Sequence, residues 1–218
     1  MVNPLTIVLG PVTSLGNNII GKPGRECDIE LLPTDLTGDP GLGAFIDDGA
    51  PGNGRFALPP GSPAIDAGND AACSSTDQLD TPRLGACDIG AIEFCPVVND
   101  LVAVGNVITD FDATPVPGGP AGTFRITADL TNTSNQTIVN PFVEVVDLTG
   151  GHLLLNADGG AGGLGARLTL PDSATTLFQP GASNTFEFLI GLQQQEPFTF
   201  FVNMLGAPGT SSSSLSVR

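Results

Sequence analysis

The sequence has no tryptophan and no tyrosine, and it contains one lysine, Lys22, and one histidine, His152. Carbohydrate sites commonly stack sugar rings on Trp and Tyr, so their absence counts against a sugar-binding role. Seven basic residues against 23 acidic ones give a formal net charge of -16, which repels phosphate backbones and anionic lipid headgroups. We therefore expect no nucleic-acid partner and no membrane insertion. The acidic, lysine-poor composition favours an extracellular or cell-surface protein.

Long apolar runs are also missing, so the sequence predicts no membrane-spanning helix. The first residues, MVNPLTIVLGPVTSLG, lack the basic region and the long apolar stretch of a signal peptide. We expect any secretion signal to lie outside these residues, which would make the chain the mature or C-terminal portion of a longer protein; a short complete protein is the alternative.

Glycine and proline are abundant, with 29 and 19 residues, while 40% of the chain is hydrophobic. This composition predicts an ordered, turn-rich β protein with very little helix. Up to about residue 96 the apolar clusters are short and each is closed by Gly, Pro or Asp. From residue 97 onward longer runs alternate with period two, as in TFRITADL, where one face carries Phe124, Ile126, Ala128 and Leu130. We predict two domains, residues 1–96 and 97–218.

The second domain is predicted to be a β-sandwich of seven or eight strands. The segment ADLTNTSNQTIVNPFVEVVDLTGG, with a turn between two alternating strands, loosely resembles immunoglobulin-like modules of bacterial secreted proteins. That resemblance implies an architecture and assigns no ligand. His152 is predicted to start a strand at the surface.

Four cysteines occur with no C-x-x-C pair, which favours disulfides over a zinc site. Cys73 and Cys87 bracket 13 turn-forming residues, and closing such a loop would contribute roughly 3 kcal/mol in an oxidising compartment. We predict this pair, and we pair Cys27 with Cys95, although the connectivity of these last two stays open.

Residues 58–94 contain the stretch LPPGSPAIDAGNDAACSSTDQLDTPRLGACDIGAIEF, which has almost no hydrophobic period. Together with SLGNNIIG and GDPGLGAFIDDGAP upstream, it resembles the C-terminal end of the right-handed parallel β-helix in choice-of-anchor Q proteins, bacterial surface proteins also described as polymorphic outer membrane protein-like. The chain departs from that pattern at Leu79 and Asp80, and near Leu9, where the usual upstream cysteine is missing.

The resemblance implies a β-helix of one or two coils that ends in a cap. We expect four apolar side chains of the cap to plug the lumen of the last coil: Ile65, Ile89, Ile92 and Phe94. Solenoids need several coils for stability, so the N-terminal face of so short a stack should be exposed. This assembly edge, with no charged side chain between residues 5 and 20, consists of Leu5, Ile7, Leu9, Val12, Leu15, Ile19 and Ile20.

Catalysis and metal binding are both weakly indicated. Parallel β-helices host polysaccharide-cleaving enzymes, but two carboxylates at glycosidase separation cannot be read from sequence, and turn formation explains most Asp residues here. We expect no catalytic residues and no cofactor other than calcium, for which Asp66, Asn69 and Asp70 are the best candidates.

Two classes of function follow. The first is a non-enzymatic extracellular structural or surface protein that self-assembles, as a filament or surface layer, through its open β-helix edge. The alternative is the non-catalytic C-terminal portion of a secreted β-helix polysaccharide-active enzyme or of an adhesin, with polysaccharide or other surface proteins as partners.

Overall fold

The computed structural model describes residues 12–21, 29–170 and 177–209. Within these ranges the chain is all-β, as the sequence predicts, and its helical content is one 3-10 turn, Asn99–Leu101. In the same ranges no helix has the length and apolar character needed to cross a membrane.

The chain divides into two compact units. The first unit consists of Met1–Ala44 and Phe56–Phe94, and the second consists of Phe45–Arg55 and Cys95–Arg218. The main division therefore falls close to the predicted boundary of 96/97. The segment Phe45–Arg55 was assigned by sequence to the first domain, whereas the structure assigns it to the second unit.

The first unit has very short strands that pair in parallel. These are β1 (Val12–Thr13), β2 (Ile19–Ile20), β3 (Ile29–Glu30) and β4 (Leu36–Thr37). Strand β1 pairs with β3 so that Val12 lies opposite Ile29, and β2 pairs with β4 so that Ile19 lies opposite Leu36. Both pairs thus join residues 17 positions apart (29 − 12 and 36 − 19).

The second unit contains the longer strands of the described chain together with several short ones. In chain order they are β5 (Phe45–Ile46), β6 (Arg55–Phe56, whose last residue belongs to the first unit), β7 (Val102–Asp112), β8 (Thr123–Asn132), β9 (Ile138–Leu148), β10 (Leu153–Leu154), β11 (Arg167–Thr169), β12 (Leu177–Phe178), β13 (Ser183–Gly191) and β14 (Phe200–Pro208). One antiparallel sheet has the order β10-β13-β8-β7. In the other, β9 pairs on one side with β11 and β12 and on the other with β14. Strands β5 and β6 form a separate pair.

Both antiparallel sheets contribute to a single hydrophobic core. Its fully buried members include Ile138 of β9, Phe178 of β12 and Phe186 of β13. The period-two alternation of β8 has the expected effect, because Ala128 and Leu130 are buried while Arg125 is exposed.

The inserted segment Phe45–Arg55 is held by a buried arginine. The Arg55 guanidinium donates to Glu144 Oε2 at 2.8 Å and to the Gly165 carbonyl at 2.9 Å. Glu144 also accepts from Arg167 Nε at 2.8 Å, so one carboxylate joins two arginines. Gly165 has φ +84°, and a Cβ there would collide with Ile46, so glycine is required for this close approach.

The prediction that His152 stays on the surface is wrong. The imidazole is buried, its Nδ1 accepts a hydrogen bond from the Gln193 N–H at 3.0 Å, and the Phe198 ring lies edge-on at 4.9 Å between centroids. Burial lowers the pKa of His152, so the folded protein keeps this ring neutral. A single polar residue before an apolar strand does not indicate that the ring of Phe198, 46 positions later, packs against it.

Candidate functional site

The predicted assembly edge is described only in part. Leu5, Ile7 and Leu9 lie outside the described residues. Val12 is in β1, and Ile19 and Ile20 form β2, where they are half-buried. Leu15, between the two strands, is 88% exposed. In the part of the chain that the structure describes, β1 and β2 each pair with one strand, β3 or β4.

A carboxylate fixes the bend that carries Leu15. Asp35 accepts hydrogen bonds from the Ser14 hydroxyl at 2.6 Å and from the Leu32 N–H at 2.7 Å, and it also accepts from both nitrogens of Asn18. The Ser14 hydroxyl, followed by the backbone of Leu32, lowers the pKa of Asp35 to about 2. The carboxylate therefore stays ionised at neutral pH and ties successive turns of chain together.

An asparagine joins these turns to the predicted cap. Asn17 adopts a left-handed backbone conformation, with φ 57°, which asparagine tolerates better than most residues. Its side-chain amide donates to the carbonyls of Ala67 and Gly68 at 3.0 and 3.1 Å. The bend at residues 14–18 is thus attached to the middle of the Gly/Pro-rich stretch.

The four residues predicted to plug the lumen differ in burial. Ile92 is buried, while Ile65, Ile89 and Phe94 are half-buried. Ile89 donates its N–H to the Ala64 carbonyl at 2.8 Å, which joins the beginning of the stretch to its end. Their role as a lumen plug stays a prediction.

Buried carboxylates organise this same stretch. Asp77 accepts from the N–H groups of Leu79, Thr81 and Glu93. Asp88 accepts from the N–H groups of Asp66 and Phe94. These two side chains accept hydrogen bonds from backbone N–H groups inside the fold, which in a regular sheet would be donated to a neighbouring strand.

Glu93 extends the network to an arginine. It accepts from Arg83 Nη1 at 2.9 Å and from the Leu84 N–H at 3.0 Å. The sequence analysis explains most acidic residues by turn formation, in which their side chains accept backbone N–H groups. It does not predict that Asp77, Asp88 and Glu93 are buried. The available signal was that all of these residues fall within residues 58–94, the stretch that has almost no hydrophobic period.

Cys73 and Cys87 are thiols in this structure and are close neighbours. Burial, followed by the adjacent Cys73 and Asp70 side chains, raises the pKa of the Cys87 thiol to about 12. Gly68 lies beside them, since a Cβ there would be 2.6 Å from the Cys87 carbonyl oxygen. The disulfide between the two cysteines stays a prediction. Cys27 lies outside the described residues, and half-buried Cys95 belongs to the second unit, so their pairing also stays a prediction.

The predicted calcium ligands have other hydrogen-bonding roles. Asn69 Oδ1 accepts from the Ala71 N–H, and Asp70 Oδ1 accepts from the Cys87 N–H at 2.8 Å. Asp66 adopts a left-handed conformation with φ 55°. Among the described residues no group of three or more His, Cys, Asp or Glu side chains is arranged to hold a metal ion.

The buried carboxylates of this site are occupied by N–H donors of its own backbone. Leu15 presents an exposed apolar side chain between β1 and β2, which each pair with one strand among the described residues. The chain matches no known protein family, no curated protein and no solved structure.

Proposed function

We propose that the chain is a non-enzymatic extracellular structural or surface protein that self-assembles through an open β-helix edge. In this proposal the first unit is the capped end of a right-handed parallel β-helix. The second unit is an immunoglobulin-like β-sandwich that packs against neighbours or displays a longer stalk.

One observation carries the proposal. The two parallel strand pairs of the first unit have the same separation of 17 residues, which is the pattern produced when successive coils of a solenoid stack in register. Parallel strands joined by so short a connection require the chain to return to its starting side once per coil. A coil of this kind pairs along its whole outline with the next one, so its exposed end is suited to pairing with another polypeptide.

The Gly/Pro-rich stretch supports the role of a cap. Among the described residues, several of its backbone donors are satisfied by Asp77, Asp88 and Glu93, and others by backbone carbonyls of the same stretch. A segment with its hydrogen bonds closed internally ends a stack, because it offers no ladder for continuation.

The order of the second unit's strands supports the sandwich. Antiparallel sheets β10-β13-β8-β7 and β11/β12-β9-β14 share one core, and the chain passes repeatedly from one sheet to the other, for example between β8 and β9 and between β12 and β13. The acidic composition and the neighbouring cysteines of the first unit support an oxidising, extracellular location.

The proposal is tested on the full chain with the double variant Ile7→Lys, Ile20→Lys. We expect the unaltered protein to form polymers whose sedimentation coefficient rises with protein concentration and which are visible by negative-stain electron microscopy. The variant should lose the polymers, because two lysines on the edge cannot be desolvated against an apolar neighbour.

The matched control is Leu42→Lys, which places the same charge on an exposed apolar residue of the first unit away from the edge. This variant should assemble like the unaltered protein. Polymers that persist in the double variant, or an unaltered protein that never associates, would refute the proposal.

A further inference from the structure

Strand β7 is an edge strand whose side chains are exposed on both faces. It has eleven residues, and every one after Val102 is exposed. Four are large and apolar, with exposed fractions of 65% for Val104, 58% for Val107, 66% for Ile108 and 47% for Phe111. Natural edge strands are usually short or protected by Lys or Pro, and residues 102–112 contain neither.

Register shows why this exposure is unusual. Val104 lies opposite Leu130 and Phe111 lies opposite Phe124, so both project to the face of the sheet that carries the core. Leu130 is buried while Val104 is exposed. The second sheet thus covers β8 and leaves β7 bare, although β7 has side chains suited to a core.

The neighbouring edge of β14 is treated differently. Residues 96–98 run antiparallel along it, with the Val98 N–H donating to the Met204 carbonyl and the Gly206 N–H donating to the Pro96 carbonyl. In the described residues β8 is the single strand paired with β7. Within the described ranges, the chain therefore shields the β14 edge at this side of the second unit and leaves the β7 edge unpaired.

We propose that β7 is a homodimer interface, in which the β7 strands of two copies pair antiparallel across a two-fold axis. The charges of β7 favour the antiparallel over the parallel pairing of two copies. Asp110 and Asp112 are its charged residues, and both lie at its C-terminal end. Parallel pairing would place the acidic ends of two copies side by side, whereas antiparallel pairing places each beside the uncharged residues 102–104 of the other copy.

A bulge at Asn106 interrupts the ladder between β7 and β8. Register shifts between Gly105 and Ile108, and Asn106 has φ 47°, with its amide donating to Asp129 Oδ2 at 2.6 Å. The extra residue is accommodated on the side that faces β8. A bulge strengthens the local twist of a strand, and a two-fold axis near it gives both copies the same twist at the point of contact.

The interface is independent of the edge of the first unit and lies on the second unit alone. Edge-to-edge pairing would bury an area near the lower limit of specific interfaces, roughly 1,000 Å² in total, so we expect a dissociation constant in the micromolar range. Each copy carries a charge of -16, and salt that screens this repulsion should strengthen the dimer.

The test uses the full chain carrying Ile7→Lys and Ile20→Lys, so that polymerisation through the other edge does not interfere; the unaltered chain serves equally if it forms no polymers. Sedimentation velocity over a concentration series should show a monomer–dimer equilibrium that tightens when ionic strength rises from about 0.05 M to about 0.5 M. Adding Ile108→Lys or Ala103→Lys should weaken dimerisation about tenfold or more, since a two-fold contact contains each substitution twice.

The control is Leu164→Lys, at an exposed apolar residue of the second unit outside β7, which should leave the equilibrium unchanged. Circular dichroism checks that each variant folds, and a variant that fails is replaced by the other β7 substitution. Hydrogen exchange should slow at residues 102–112 as concentration rises.

Three results would overturn the inference. They are a protein that stays monomeric at about 1 mM, far above the expected constant, dimerisation that ignores both β7 substitutions, and β7 amides whose protection does not depend on concentration, which would mean that the chain itself covers this edge. Polymers lost in the Ile7, Ile20 variant together with a surviving dimer would support both interfaces separately. Concentration-dependent protection confined to residues 12–20 would support the first and refute the second.

Discussion

The two units of this chain satisfy their backbone hydrogen-bonding groups in different ways. The second unit has long antiparallel ladders over a core that includes Ile138, Phe178 and Phe186, all fully buried. In the first unit the described strands are two residues long, and its buried hydrophobic residues are Leu58, Ala64, Cys87 and Ile92. There the carboxylates of Asp35, Asp77, Asp88 and Glu93 accept the backbone hydrogen bonds.

The difference teaches that irregular backbone can be ordered without a large core. A carboxylate that accepts two or three N–H groups replaces part of a ladder, and hydrogen bonds to charged groups are stronger than those between neutral ones. The two units should consequently fail under different perturbations, which the following four experiments exploit, from the largest expected effect to the smallest.

Removing a core ring should damage the second unit alone. Phe186 is fully buried and stacks on Phe188 with centroids 6.0 Å apart. Phe186→Ala should lower the free energy of unfolding of this unit by about 3–5 kcal/mol through lost burial and the cavity left behind. Urea titrations followed by the NMR methyl signals of Ile138 and Ile92 report the two units separately. Phe201→Ala, at a 60% exposed ring, should change stability by less than about 0.5 kcal/mol, and equal effects of both variants would contradict the assigned core.

Oxidation should strengthen the first unit alone. Cys73 and Cys87 are already neighbours, so an oxidising buffer should join them, and reduction should then lower the stability of this unit by about 3 kcal/mol. Peptide mapping after alkylation identifies the bond, and it also shows whether Cys27 pairs with Cys95. Cys73→Ser should make the unit insensitive to reductant. Recovery of both alkylated thiols from oxidised protein would remove the disulfide and with it one argument for an extracellular location.

Removing a carboxylate should unfold the cap and spare the core. Asp77→Ala leaves three N–H donors without their acceptor, two of them in buried hydrogen bonds, which should cost the first unit about 2 kcal/mol. Asp39→Ala is the control, because exposed Asp39 accepts one N–H, from Gly41, and water replaces it. The comparison between the units would fail if Asp77→Ala destabilised the second unit instead.

Mild acid should lower the stability of the second unit and leave that of the first unchanged. Burial lowers the pKa of His152, so below about pH 6.5 the unfolded chain binds a proton that the folded chain does not, and stability falls as pH falls. Because the pKa of Asp35 is lowered to about 2 in the folded protein, its contribution to stability stays intact until the pH drops below 3.8, the ordinary pKa of this side chain. Between about pH 7 and about pH 5 the second unit should therefore lose stability while the first does not. His152→Gln should abolish this dependence, and an unchanged pH profile in that variant would show that another group is responsible.

Sequence reasoning was strongest where periodicity is physical. The alternation of Phe124, Ile126, Ala128 and Leu130 predicted β8, because a sheet with one buried face imposes period two. The predicted all-β class is confirmed for the same reason.

The misses concern contacts between residues far apart in sequence. Nothing near Arg55 indicates a partner 89 positions later, and nothing near His152 indicates the Phe198 ring. In the first unit, turn residues predicted irregular backbone, but propensities cannot show which carboxylates meet which donors. The exposed β7 was also missed, since its apolar pattern is that of an ordinary buried strand.

The inserted segment Phe45–Arg55 has a practical consequence for producing the protein in pieces. A gene fragment cut at 96/97 would encode β7 to β14 without this segment. Glu144 would then keep one arginine in place of two, and the Gly163 N–H and Gly165 carbonyl would lose Asp48 and Arg55 as partners. To produce the second unit alone, residues 45–55 should therefore be fused ahead of Cys95 or supplied as a separate peptide.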